Sequence, residues 1–142
     1  MANNWLALSV ALIFVWLGMV LAISFLEAPL KFRAPGVTLP IGLGIGRLVF
    51  RALNAVEVVL AVALAAGLPA GRGGATAWAG YAVAAAALIA QLIGVRPALT
   101  RRSDAVLAGA DGPRSHAHLA YVGLELLKVV ALIVAGVALL AG

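Results

Sequence analysis

The chain has 142 residues, 65% of them apolar and only 11% charged, with a formal net charge of +5, and its mean hydropathy is +1.14. That length fits one domain, and the balance excludes an ordinary water-soluble protein, whose apolar share is about 45–50% and charged share about 25%. There is no cysteine, which excludes disulfides, thiolate metal sites and cysteine nucleophiles.

A bilayer core about 30 Å thick takes roughly 20 helical residues, and four windows reach that length: Trp5–Leu26, Leu43–Leu68, Ala75–Val95 and His116–Ala141. They use almost the whole chain, so the reading is a single all-α domain, a polytopic membrane protein built as an antiparallel four-transmembrane-helix bundle. No soluble catalytic domain has room beside them. Lipid requires backbone groups to be satisfied within the span, and no alternating barrel strands are visible.

The first window lacks a basic segment before Trp5 and is longer than the apolar run of a secretory signal, so it reads as a retained span despite the loosely cleavage-like Ala22-Ile-Ser24. Glu27-Ala-Pro29 is expected to end or kink it, because proline lacks an N–H and clashes with the preceding turn. The connection FRAPGVTLP follows, and the run GLGIGR, Gly42 to Arg47, opens the second window. That run lacks the spacing and the Lys-Ser/Thr pair of a phosphate loop, so it reads as a flexible lead-in. In the second window Arg47, Phe50, Asn54 and Glu57 form a stripe at helical spacing, with Arg51 beside it.

After PAGRGG, the third window carries small residues four apart at Ala82, Ala86, Ala90 and Gly94, a ridge of the kind that lets membrane helices approach closely. Gln91 and Arg96 lie toward its end, and the turn-rich RPALTRRSDAVLAGADGPRS separates it from the fourth window. There Arg114, His118, Tyr121, Glu125 and Lys128 follow steps of four, three, four and three, which places them on one face. A shift of 68 residues sets Pro29 on Pro97, Arg33 on Arg101, Gly44 on Gly112, Ala52 on Ala120 and Glu57 on Glu125, a weak repeat that would make the two helix pairs equivalent.

Basic residues cluster about the first and third connections, namely Lys31, Arg33, Arg47 and Arg51, then Arg96, Arg101, Arg102 and Arg114. By the positive-inside rule these connections face the cytoplasm and both termini lie outside. The same residues form no compact motif with an aromatic platform, so nucleic acid is not an expected partner. The lipid bilayer is, and a chain this small is expected to form a homo-oligomer or join a larger membrane complex.

Charged side chains at the centre of a span cost at least about 2.5–3.5 kcal/mol each. Glu57, Glu125 and Lys128 must therefore face the interior, a cavity or another subunit. Three readings follow. The first is a binding or transport protein whose polar, protonatable pocket takes a proton, a cation or a small polar solute, with Glu57 and Glu125 as binding groups, Lys128 as counter-ion, and Asn54, Tyr121 and His118 orienting them. The second is an accessory or structural subunit in which buried ion pairs fix helix register. The third is a haem- or metal-binding redox protein using His118, with Glu57 and Glu125 as further ligands. His116 and His118 are two residues apart, on different faces of a helix, and do not suit one metal. The cofactor stays unassigned, and enzymatic chemistry has little support. Ser9 and Ser24 lack a neighbouring base, and Ser115 beside His116 lacks a third member.

The pattern Glu27-Ala-Pro29-Leu-Lys31-Phe32, with Pro97 after the third window and Ser115-x-x-His118-x-x-Tyr121 opening the fourth, resembles a family of small four-span bacterial inner-membrane proteins with no assigned activity. The resemblance implies the four-helix fold and carries no functional residues.

Overall fold

A computed structural model describes residues 2–67, 74–109 and 116–142, with backbone only at residues 2 and 3. Helix α1 spans Ala2–Val20 and runs through a π-helical segment, Leu21–Glu27, into the short α2, Ala28–Leu30, and a 3-10 turn, Lys31–Arg33. Helix α3 is Leu39–Gly67. Helix α4, Gly74–Ala90, passes through a second π-helical segment, Gln91–Val95, into α5, Arg96–Leu107, and α6 is His116–Ala141. No strand occurs among the described residues. The result is four helical rods, Asn4–Arg33, Leu39–Gly67, Gly74–Leu107 and His116–Ala141, each long and apolar enough to cross a membrane.

Two sequence expectations are corrected here. Of the two outcomes expected at Pro29, ending the first rod is excluded, because the rod continues to Arg33, and Arg96–Leu107 is helix rather than loop. In both places the residue before the proline donates its N–H five residues back, Ala28 to the Ile23 carbonyl and Arg96 to the Gln91 carbonyl. A π turn is wider than an α turn, and it gives the proline ring the clearance that an α turn denies it. The rods therefore continue past Pro29 and Pro97, the two prolines that the 68-residue shift superposes. A third correction concerns GLGIGR, which is regular helix inside α3. A Cβ on Gly42 would overlap the Phe32 ring, and one on Gly46 would sit 3.0 Å from Lys31 Nζ. These glycines, one turn apart, let the end of the first rod lie against α3.

The small-residue ridge also moves. Ala82, Ala86, Ala90 and Gly94 are exposed, and the buried face of α4 is instead Ala77, Gly80, Ala84 and Ala87. A Cβ on Gly80 would lie 2.7 Å from the Ala131 carbonyl oxygen and 2.9 Å from the Ala135 Cβ, so α4 and α6 are in backbone-level contact. The sequence could not separate these two faces, because alanine is common on both. Helix α1 packs on α3 and α6, and Ile13, Trp16, Leu64, Leu132, Ala135 and Leu139 join in the central apolar cluster. The Tyr81 hydroxyl ties α4 to α3 by donating to the Ala61 carbonyl at 2.8 Å. Outside, the pattern of a soluble protein is inverted: Leu48, Val59, Val62, Ile93 and Leu140 are 65–75% exposed, whereas Glu57, Gln91 and Lys128 are fully buried.

Candidate functional site

Four rods contribute polar groups to one interior cluster centred on Lys128 of α6. Its ammonium contacts Glu57 Oε2 across the helix interface and Glu125 Oε1, 2.5 Å away on its own helix. The i, i+3 spacing on α6 permits the second contact. Each carboxylate also accepts from neutral donors. Trp16 Nε1 of α1 donates to Glu57 Oε2 at 2.8 Å, and Asn54 Nδ2 of α3 donates to Glu57 Oε1 at 3.0 Å. Gln91 Nε2 donates to Glu125 Oε1 at 2.7 Å, and the Ser24 hydroxyl to Glu125 Oε2. The π-helical segments of the first and third rods supply the last two donors.

Buried charges persist only when paired and hydrogen-bonded, and this cluster meets that condition. Glu57, Glu125 and Lys128 are all within 1% of complete burial. With two carboxylates and one ammonium the group carries one excess negative charge when all three are ionised. Arg96 Nη1 approaches from the α5 end, donating to Asn54 Oδ1 and, at 3.4 Å, to the Phe50 carbonyl. Asn54 thus relays between a guanidinium and Glu57. Its amide nitrogen is also 3.4 Å from the Tyr121 hydroxyl, and the Tyr121 ring meets Phe50 edge-on at 5.5 Å.

Beside the cluster lies a cavity of about 600 Å³, within the usual range for small-molecule sites. It extends to the residues that flank the Ala34–Thr38 connection, since Phe32 and Leu39 line it together with Arg102 and His118. Its walls are largely apolar and aromatic, and its basic residues are Lys31, Arg47, Arg96 and Arg102. Its inner surface reaches Ser24, Tyr121 and Glu125.

The six residues expected to form the site are thereby sorted. Glu125, Tyr121 and His118 line the cavity. Glu57, Lys128 and Asn54 form the buried network behind it. The glutamates meet within one chain, through Lys128. His118 belongs to the cavity wall, and among the described residues no three His, Cys, Asp or Glu side chains are grouped to hold a metal; His118, Glu57 and Glu125 do not form one. Of the remaining stripe, Arg47 pairs with Asp104 of α5 at 2.7 Å at the rim, Arg51 is exposed, and Arg114 lies outside the described residues.

Trp16 and the α5 wall were not expected from the sequence. A tryptophan N–H deep in an apolar span needs an acceptor, and that need was the available signal. For α5, Arg96, Leu99, Thr100, Ser103 and Val106 recur at three and four residues, a helical period that the surrounding glycines and charges obscure.

No protein family, curated protein or solved structure matches this chain.

Proposed function

We propose that this chain is a multi-pass protein of the bacterial inner membrane that binds a small solute in its cavity, exchanges a proton at Glu125, and so serves binding or transport. The four rods lie antiparallel across the bilayer, with the cavity toward the cytoplasm and both termini outside, as the basic residues around the first and third connections favour. The carrying observation is that Glu125 belongs to two environments: it lines the cavity and is also part of the buried Lys128 network. A proton arriving through the cavity at Glu125 would cancel the one excess negative charge of the cluster. Its departure would restore the Glu–Lys–Glu arrangement. Four basic residues around the cavity make a metal cation the less favoured cargo. The protein is proposed to act as a homo-oligomer or within a larger membrane complex.

Dicyclohexylcarbodiimide, which modifies protonated carboxyl groups reachable from apolar surroundings, tests the proton site. Peptide mapping should find the adduct on Glu125 in preference to Glu57, and Glu125→Gln should abolish it. Equal modification of both glutamates, or of neither, would contradict an exchange site at Glu125.

A further inference from the structure

Among the described residues, the cavity wall holds two donors with no hydrogen-bond acceptor, Lys31 and Ser103. The Lys31 side chain is 10% exposed and lines the cavity. Its nearest carboxylate, Glu27 Oε2, is 3.8 Å away, beyond hydrogen-bonding distance. Glu27 Oε2 correspondingly has no hydrogen-bond partner. The Phe32 and Phe50 rings, 5.6 and 5.8 Å from Lys31 Nζ, provide only cation–π contact. Room for the ammonium exists because Gly46 has no side chain. Ser103 is 6% exposed and lines the same cavity, and among the described residues its hydroxyl has no hydrogen-bond partner. A buried hydroxyl left unsatisfied costs stability unless a partner comes to it, and a partly buried ammonium with only a distant carboxylate has donors to spare for the same group.

The charged residues of the wall indicate the sign of that acceptor. Arg47 is taken up by Asp104, and Arg96 has only the neutral oxygens of Asn54 and Phe50. Glu125, the one carboxylate among the described lining residues, shares Lys128 with Glu57. Against that carboxylate the wall sets Lys31, Arg47, Arg96 and Arg102, so basic residues predominate on it. The rest of the wall includes Phe25, Phe32, Leu43, Phe50, Leu99 and Val122, which suits an apolar body.

Building on the cavity reading above, we infer that the ligand is an amphipathic monoanion, a carboxylate on an apolar body, with the carboxylate held by Lys31 and Ser103 and the body against the aromatic wall. A membrane-dissolved fatty acid and an aqueous aryl or alkyl acid share this chemistry.

Because the native chain has no cysteine, Val122→Cys places one thiol on the cavity wall. Its rate of reaction with a small polar maleimide, in full-length protein reconstituted in phosphatidylcholine nanodiscs, reports occupancy. The probes are 3-phenylpropanoate from water, oleate incorporated in the bilayer, acetate, and decylamine. Protection by phenylpropanoate or oleate, with none by acetate or decylamine, supports the inference, and the protecting acid identifies the source as aqueous or lipidic. Adding Lys31→Gln should raise the half-protecting concentration about tenfold or more, whereas Lys31→Arg should keep it within a few-fold. Decylamine protecting as well as the acids, no protection by either acid, or an unchanged concentration in the Lys31→Gln protein would overturn it. A thiol that does not react even without ligand would instead refute the open cavity itself. The unliganded rate in each Lys31 variant shows whether the cavity has kept its shape.

Discussion

Replacing Lys128 by methionine removes the one cation between two buried carboxylates while keeping most of the apolar volume. The consequence follows from the contacts. Glu57 retains Trp16 and Asn54 as donors, and Glu125 retains Gln91 and Ser24, so hydrogen bonding survives but charge compensation does not. Removing one partner of a buried ion pair costs about 3–5 kcal/mol, and here two carboxylates lose the same partner. Lys128→Met should therefore lose about 3–5 kcal/mol of unfolding free energy, measured by steric trapping in bicelles. The double variant Glu57→Gln/Lys128→Met removes the like-charge pair and leaves Glu125 with its two neutral donors. It should recover about 2 kcal/mol or more of that loss. If Lys128→Met falls within about 1 kcal/mol of the native protein, or if the double variant is no better than the single, the charge-compensation account is refuted.

Three further outcomes follow from the packing and from the network. Trp16→Phe keeps the ring in the core but deletes the N–H donated to Glu57, and should cost about 1.5–3 kcal/mol in the same assay. Gly80→Ala pushes a methyl group into the Ala131 carbonyl and should cost about 1–3 kcal/mol, while Gly44→Ala, with nothing within 4 Å of the new Cβ, should be neutral or stabilising by up to about 1 kcal/mol; comparable losses in the two would contradict the close α4–α6 approach. Arg47→Ala should change stability by at most about 1 kcal/mol, because Arg47 and Asp104 have side chains 33% and 59% exposed.

Much of this arrangement was legible from helical spacing alone. Steps of three and four put Asn54 with Glu57, and Tyr121 with Glu125 and Lys128, and the cost of burying charge turned those faces away from lipid, toward the interior, a cavity or another subunit. What spacing could not give was which partner each group would take. Glu57 reaches Lys128 across 71 positions of sequence, and the Trp16 indole serves Glu57 across 41. The division of the site into a buried network and a cavity was equally hidden, since it depends on the end of the first rod lying against α3 at Gly42 and Gly46. The prolines misled for a definite reason: Pro29 and Pro97 are incompatible with a regular α turn, but one wide turn before each absorbs the clash and lets the helix continue. The choice of α4 face was undetermined because Ala82 and Ala84 differ in nothing but direction.

The account's central claim is a membrane-embedded cavity, open to one side, that ends at a sealed ionic network. Sided thiol labelling in sealed inverted and right-side-out vesicles tests it most directly, using Val122→Cys on the cavity wall and Leu64→Cys in the fully buried core. A membrane-impermeant maleimide should label Val122→Cys rapidly from the cytoplasmic face alone and leave Leu64→Cys unlabelled from either face. Labelling of Val122→Cys from the opposite face, or from neither, would contradict the account.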